Sequence, residues 1–223
     1  MDDLTLIIPA KNEAESLPIV LNELKKYNYK TDIVLHSTDI DTIQVIKEYD
    51  VNIVYQDNLG YGDALIHGIK QCKTKYFCIF NADGSFNPAE INKMYEVLQA
   101  KKLDFIFASR YQASSGSEDD TMITLVGNYI FTYIGKIFFR LNISDILYTF
   151  VIGKTEQANI LDLKQKDFSF CVELPIKAKK MRMELGCINS YERMRIAGKK
   201  KVNAFKDGFL ILKHMIKLFF MRF

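Results

Sequence analysis

The apolar run Tyr76–Phe80 limits most strongly how this chain can fold, because it stops abruptly at a polar sequence, Asn81-Ala82-Asp83-Gly84-Ser85. A continuous rather than alternating apolar run is typical of a strand buried on both faces, as in a parallel sheet. Open α/β sheets bind ligands just beyond the carboxyl ends of their strands. Asn81, Asp83 and Ser85 therefore form a candidate site for one hard cation such as Mg²⁺. Alternatively, they close the strand as an Asx-type turn.

The rest of the chain alternates between strand and helix patterns. A chain of 223 residues is long enough for one sizeable domain. We predict an α/β fold with a mostly parallel sheet and helices on both faces. The predicted strands are Leu4–Pro9, Ile33–Leu35, Val51–Tyr55, Phe105–Tyr111, Ile146–Ile152 and Met183–Tyr191, and the predicted helices include Glu15–Tyr27, Thr42–Tyr49, one that opens at Gly60, and Ala89–Ala100.

Composition excludes several classes of protein. Apolar residues make up 48% of the chain and charged residues 26%, which argues against disorder. The net charge of +3 is too small to indicate nucleic-acid binding, although basic residues concentrate after Lys177 and could contact phosphates or an anionic membrane. The four cysteines show neither metal-ligand nor disulfide-framework spacing, which indicates reduced thiols in the cytosol.

Two apolar stretches bear on membrane contact. The sequence starts without a basic region, so no secretory signal is expected, and no charge-free window reaches the ~18–20 apolar residues that span a bilayer. Phe209–Phe223 mixes large apolar groups with Lys213, His214 and Lys217, which predicts a helix lying in the membrane interface. Thr121–Arg140 has a similar character, and it could equally be a core helix.

Six short motifs follow one another along the chain, and together they cover nearly all of it. They are IIPAKNE at Ile7–Glu13, GYGDA at Gly60–Ala64, NADG at Asn81–Gly84, SRY at Ser109–Tyr111, SD at Ser144-Asp145 and RIAGKKK at Arg195–Lys201. In this order they resemble the IIPAYNE, GKGAA, DAD-type, GSRY, SDPTSGFR and RxxGxSK motifs of inverting, nucleotide-sugar-dependent glycosyltransferases of the dolichyl-phosphate mannose synthase type.

The resemblance implies a GT-A (Rossmann-like) fold and transfer of a sugar from a nucleoside diphosphate to a polyprenyl, dolichyl-type phosphate, at the cytosolic face of a membrane. It divides the chain into a catalytic domain, residues 1–205, and an amphipathic membrane-associating helix, residues 206–223. It implies Mg²⁺ or Mn²⁺ as cofactor, with Asn81, Asp83 and Ser85 at the metal. The implied donor-binding residues are Pro9, Ala10, Glu13, His36, Asp63, Ala82, Asp83, Arg195 and Lys201.

The acceptor decides which catalytic groups are needed. A lipid phosphate is already anionic at pH 7, so the site has only to orient it and shield its charge. For this acceptor the resemblance implies Arg110 and Thr124, with Asp83 at the metal. A sugar hydroxyl would instead need a carboxylate base, for which Asp145 is the candidate.

The chain departs from the family pattern at three places. His36 begins the turn that usually reads DDGSxDGT, so the nucleotide base is unassigned, and Asn81 replaces the first Asp of the metal motif. Where relatives carry a second basic residue after GSRY, this chain has Glu118-Asp119-Asp120-Thr121, which we interpret as loop solvation. A catalytically impaired, nucleotide-sugar-binding homologue is therefore a further alternative.

Overall fold

The computed structural model of the protein describes residues 1–198 and 201–221. Lys199 and Lys200 of the RIAGKKK motif, and Arg222 and Phe223, lie outside the described residues. The strands are β1 (Leu4–Pro9), β2 (Lys30–Leu35), β3 (Asn52–Tyr55), β4 (Tyr76–Ile79), β5 (Phe105–Ser109), β6 (Gly116–Ser117), β7 (Val151–Lys154), β8 (Leu185–Asn189) and β9 (Tyr191–Glu192). The α-helices are α1 (Leu17–Leu24), α2 (Ile40–Ile46), α3 (Tyr61–Gln71), α4 (Ala89–Ala100), α5 (Met122–Phe139), α6 (Thr155–Ile160), α7 (Phe170–Lys180) and α8 (Ala204–Phe220).

Seven strands form the central sheet, in the order β3-β2-β1-β4-β7-β5-β8. Every pairing is parallel except those of β7, which runs antiparallel to both β4 and β5. β6 and β9 form a separate two-stranded parallel ribbon. The predicted α/β fold with a mostly parallel sheet is confirmed.

Both faces of the sheet are covered, which explains the continuous apolar run at its centre. Phe77 and Ile79 of β4 belong to one hydrophobic core, while Cys78 and Phe80 belong to the core on the opposite face. Successive strand residues point to opposite faces, so a strand covered on both sides needs apolar residues at every position.

The prediction of a strand over Ile146–Ile152 was wrong for most of its length. Only the last two residues of this run belong to β7. Tyr148 and Phe150 pack their rings on Phe86 instead, with ring centroids 5.0 and 4.7 Å apart. The apolar character of the run therefore reflects burial beneath the cavity described below, not strand pairing.

Helix α5 buries its small and polar face and exposes its apolar face. Its buried residues are Asn128, Thr132, Gly135 and Phe139. Its exposed large apolar residues are Met122, Ile123, Val126, Tyr129, Ile130, Tyr133, Ile137 and Phe138. A helix on the surface of a water-soluble domain normally has the opposite arrangement. This exposed surface of α5 is called the apolar face below.

By length and composition, α5 could cross a membrane: it has 18 residues, and 22% of them are buried. That criterion tolerates a charged residue within the helix, here Lys136, so it is broader than the charge-free window considered from the sequence. Helix α8 packs against α5 and α7. It also exposes large side chains, among them Phe205, Phe209 and Phe220.

Candidate functional site

A cavity of about 510 Å³ lies at the carboxyl ends of the central strands. This is where open α/β sheets bind ligands. The sequence-predicted residues that line it are Pro9, Ala10, Glu13, His36, Asn81, Ala82, Asp83, Arg110, Thr124, Arg195 and Lys201. Three other predicted residues, Asp63, Ser85 and Asp145, lie behind these and do not line it.

The turn after β4 fixes the carboxylate of Asp83. Both the backbone N–H and the hydroxyl of Ser85 donate to Asp83 Oδ1, at 3.0 and 2.7 Å. The backbone turns at Gly84, whose φ of +82° favours glycine. The Asx-type turn considered from the sequence is thus present, and it leaves Asp83 Oδ2 toward the cavity, 3.6 Å from a nitrogen of Arg195.

The donor atoms at this turn fit a cation that is completed by substrate phosphates. Asn81 uses its amide nitrogen to donate to Ser85 Oγ at 3.3 Å, so its carbonyl oxygen is the atom that remains for a cation. Within residues 1–198 and 201–221, no group of three or more His, Cys, Asp or Glu side chains is placed to hold a metal. Mg²⁺ is commonly held by one or two carboxylates together with substrate phosphates, which is the set available here. The Ser85 hydroxyl already donates to Asp83, so it orients that carboxylate.

At the end of the cavity that follows β1, Glu13 is held from three sides. Ser16 donates its hydroxyl to Glu13 Oε2 at 2.6 Å, and Lys201 forms an ion pair with Oε1. The backbone N–H of Glu13 donates to the hydroxyl of Thr42 at 3.0 Å. His36 is nearby in the cavity lining, where Nδ1 lies 2.8 Å from the hydroxyl of Thr38. This end therefore brings together the residues predicted to contact the nucleoside.

The loop of residues 165–167 closes the floor of the cavity against the start of α3. A Cβ atom on Gly60 would lie 2.1 Å from the carbonyl oxygen of Lys166, and one on Gly62 would lie 2.1 Å from that of Gln165. Both glycines are therefore required by contact with the chain itself. Asp63, predicted to bind donor, accepts from the backbone of Asn58 at 3.1 Å and pairs with Lys166 at 3.4 Å.

Arg110 is buried among three carboxylates at the other side of the cavity. Its Nε and one terminal nitrogen donate to the two oxygens of Asp145, at 2.7 and 3.0 Å. Its other terminal nitrogen donates to Glu192 at 3.1 Å and to Asp120 at 3.4 Å. Burial lowers the pKa of Arg110, but the neighbouring carboxylates outweigh it, so this pKa is raised. Arg110 is therefore a permanent charge that is already paired.

The two carboxylates beside Arg110 that line the cavity differ in their contacts. Asp120 accepts from Arg110 and, through the same oxygen, from Thr124 at 3.0 Å, and its other oxygen accepts from Tyr111. Glu192 accepts from Arg110 and Ser117 on Oε2 alone. Burial raises the pKa of Glu192, against the opposing effect of Arg110. Burial therefore favours the protonated form of the Glu192 carboxyl.

Comparison with known proteins identifies the family of this chain. Residues 5–158 match the family model described as Glycosyl transferase family 2. The chain belongs to glycosyl transferase family 2.

Two relatives of this family 2 chain cover most of its length. An uncharacterised protein of Methanocaldococcus jannaschii is 27% identical over 192 residues, which cover 82% of this chain and 79% of the relative. The UDP-N-acetylglucosamine–dolichyl-phosphate N-acetylglucosaminyltransferase of Methanococcus voltae is 24% identical over 205 residues, covering 81% of this chain and 82% of the relative.

Solved structures share the family 2 fold. Glucosyl-3-phosphoglycerate synthase of Mycobacterium tuberculosis superposes with a TM-score of 0.76 at 11% identity, covering all of this chain and 82% of that one. The same enzyme has been solved with Mn²⁺, UDP and phosphoglyceric acid. Mannosyl-3-phosphoglycerate synthase of Rubrobacter xylanophilus superposes at 0.71 with 12% identity, covering 96% and 72% of the two chains. At these identities the likeness establishes the GT-A fold.

Sequence reasoning missed several lining residues of the family 2 site. Asp119 and Asp120 were interpreted as loop solvation, but they pair with Arg195 and Arg110. Glu192 lies three positions before the first residue of the RIAGKKK motif, and no pattern singled it out. The one available signal was the acidic cluster Glu118-Asp119-Asp120, which follows Arg110 at the end of β5, because buried arginines need carboxylate partners.

Proposed function

We propose that this protein moves a sugar from a nucleoside diphosphate sugar to a polyprenyl phosphate at the cytosolic face of a membrane, with inversion at the anomeric carbon. The observation that carries the proposal is the position of α5. This helix lines the cavity with Thr124 and Asn128 and exposes its apolar face on the outside. A lipid-linked acceptor could thus reach the cavity along one helix. The similarity to the dolichyl-phosphate enzyme of Methanococcus voltae supports the same acceptor class.

At the donor end, Asp83 and the carbonyl oxygen of Asn81 would hold Mg²⁺ or Mn²⁺. When bound, the cation neutralises charge on the departing diphosphate. Arg195 and Lys201 line the same cavity and would add positive charge where the negative charge develops. Glu13 and His36 would lie beside the nucleoside. The loop of residues 165–167 excludes water beneath the donor by its packing on α3.

At the acceptor end, a phosphate oxygen attacks the anomeric carbon as the bond to the diphosphate breaks. No proton has to be removed, so the site must orient the acceptor. Arg110 would orient it by exchanging Asp120 or Glu192 for the phosphate, while its bidentate pair with Asp145 holds the guanidinium in place. The Thr124 hydroxyl lies at the same part of the cavity.

The membrane claim predicts that the apolar face of α5 drives vesicle binding. Replacing Tyr133 and Ile137, 65% and 52% exposed, with glutamate should weaken co-sedimentation with anionic vesicles by about tenfold or more, since each charge has to leave the interface. Ile19→Glu, on α1 at 51% exposure, is the matched control and should leave binding unchanged. Vesicle binding by the double variant equal to that of the wild type would contradict a membrane-facing α5. So would a wild-type dimer in the absence of lipid that the double variant disrupts, because the apolar face would then be a protein interface.

A second acceptor class is favoured by the carboxylates around Arg110. With Arg110 paired to three acids, the cavity already holds a carboxylate, Glu192, whose Oε1 accepts no hydrogen bond from a described residue. A glycan or glycolipid hydroxyl could lose its proton to such a group. Asp145, the candidate base from the sequence, is less suited, because both of its oxygens accept from Arg110 and it does not line the cavity.

A transfer assay tests the proposal and separates the two acceptors. UDP- and GDP-linked sugars would be supplied with Mn²⁺ and vesicles that contain either a polyprenyl phosphate or a glycolipid without phosphate. We expect product from the polyprenyl phosphate, a large loss in Arg110→Lys, and a smaller loss in Glu192→Gln. Transfer to the glycolipid, abolished by Glu192→Gln, would establish the hydroxyl acceptor instead. Donor binding without transfer or hydrolysis would indicate an impaired homologue.

A further inference from the structure

The backbone of residues 193–196 is fixed against the turn that carries Asp83. The N–H of Arg193 donates to the carbonyl oxygen of Ser85, and that of Ile196 donates to the carbonyl oxygen of Asp83, both at 2.8 Å. Ile196 lies directly over Gly84, where a Cβ would be 2.4 Å from its Cδ1. These contacts place the backbone of Arg195 beside Asp83. They do not fix the orientation of its guanidinium, which requires a further contact.

Asp119 provides that contact. Its two oxygens accept from Nε and one terminal nitrogen of Arg195, at 3.2 and 2.7 Å. The other terminal nitrogen faces Asp83 Oδ2 from 3.6 Å, beyond hydrogen-bond distance. The hydrogen bond to Asp119 is the main reason that the pKa of Arg195 is raised. One edge of the guanidinium is thus occupied by Asp119, and the remaining donors face the Asp83 end of the cavity.

The segment that carries Asp119 is itself anchored. Gly116 and Ser117 pair with Tyr191 and Glu192 as the β6–β9 ribbon, and the backbone N–H of Asp119 donates to the hydroxyl of Ser117 at 3.2 Å. A carboxylate on a fixed segment can hold a long arginine side chain in one orientation. The Arg195 side chain therefore loses less conformational entropy when the diphosphate binds.

We propose that Asp119 is a positioning residue for the donor diphosphate. It keeps Arg195 from collapsing onto Asp83, which would neutralise two groups that the donor needs separately: a carboxylate for the cation and a guanidinium for the phosphates. Without Asp119, the 3.6 Å ion pair between Arg195 and Asp83 could close to a hydrogen-bonded one, which would compete with both the cation and the diphosphate. The proposal rests on the proposed donor role of Arg195.

The test is calorimetric binding of UDP and GDP, each with Mn²⁺, to the full chain. Asp119→Asn should weaken binding of the nucleotide that the wild type prefers by about tenfold, the scale of one charge-assisted contact. In steady state the donor KM should rise by a similar factor, with a smaller change in kcat. Asp119→Glu should recover part of the affinity. Glu118→Gln is the matched control, because Glu118 contacts Tyr191 and Met194, not Arg195.

A double-variant cycle separates positioning from folding. In an Arg195→Gln background, Asp119→Asn should cost clearly less than in the wild type, because there is no Arg195 guanidinium left to orient. An equal loss in both backgrounds, or full affinity in Asp119→Asn alone, would overturn the positioning role. If Arg195→Gln binds as tightly as wild type, the donor role of Arg195 fails as well. If the wild type binds neither nucleotide, the proposed function itself fails.

Discussion

Replacing Asp83 with alanine should lower the rate of sugar transfer by at least about 100-fold. Asp83 is the carboxylate that follows the central strand, and its Oδ2 faces the cavity beside Arg195. Its loss would remove both the proposed cation ligand and the negative charge that faces Arg195. Steady-state transfer with Mn²⁺ and the preferred donor measures the effect, alongside thermal unfolding to show that the fold is retained.

Two further variants sharpen the test at this turn. Asn81→Asp adds a second carboxylate to this turn, and it should be tolerated or should tighten Mn²⁺ binding. Asp50→Ala removes an exposed carboxylate that does not line the cavity and should leave transfer unchanged. A fully active Asp83→Ala protein would mean that the cation and the diphosphate bind elsewhere.

The largest loss of stability is expected from Lys177→Met. Lys177 donates to Glu173 Oε1 at 2.8 Å and to the carbonyl oxygen of Asp162 at 2.7 Å, and both members of the pair are buried. The remaining oxygen of Glu173 accepts from the backbone of Lys164 and Gln165. Removing the lysine leaves a buried carboxylate unpaired, which costs roughly 3–5 kcal/mol. Thermal unfolding should show a midpoint lowered by roughly 6–20 °C.

The control for this prediction lies on the same helix. Lys179→Met, outside the buried pair, should change the free energy of unfolding by about 0.5 kcal/mol or less. Combining Lys177→Met with Glu173→Leu should recover part of the stability, because an apolar pair replaces an isolated charge. A single variant as stable as wild type would show that Glu173 is neutralised or hydrated by other means.

The sequence predicted those strands and helices whose burial determines the spacing of their apolar residues. The continuous run of β4 and the helical spacing of α4 are set by local burial, and both are where they were predicted. β7 shows the limit. Its direction depends on the two strands between which it lies. Its register partners are distant in sequence, because Tyr76 and Lys154 are 78 positions apart and Phe105 and Gly153 are 48 apart. No local pattern encodes that direction.

The cavity was predictable to the extent that its residues belong to short motifs. Most of the predicted residues line it, and many of these, such as Ala10, His36 and Arg110, follow directly after a strand. Ion-pair partners were harder to foresee. Glu192 meets Arg110 across 82 positions of sequence, and Asp119 meets Arg195 across 76. Such pairs are selected by the burial of arginine, which becomes visible only when the strands have been placed.

Residues 165–167, which contact the two glycines at the start of α3, lie beyond the part of the chain that the family model matches. The family model ends at residue 158, yet Asp167, Glu192, Arg195 and Lys201 line the cavity. A chain truncated after residue 158 would lose one wall of the cavity. The backbone N–H of Asp63 would also lose its acceptor, the carbonyl oxygen of Lys166. The part of the chain that the family model matches therefore does not contain the whole cavity. If residues 1–158 were fused to a different C-terminal segment, that segment would have to place its backbone, rather than a side chain, against Gly60 and Gly62.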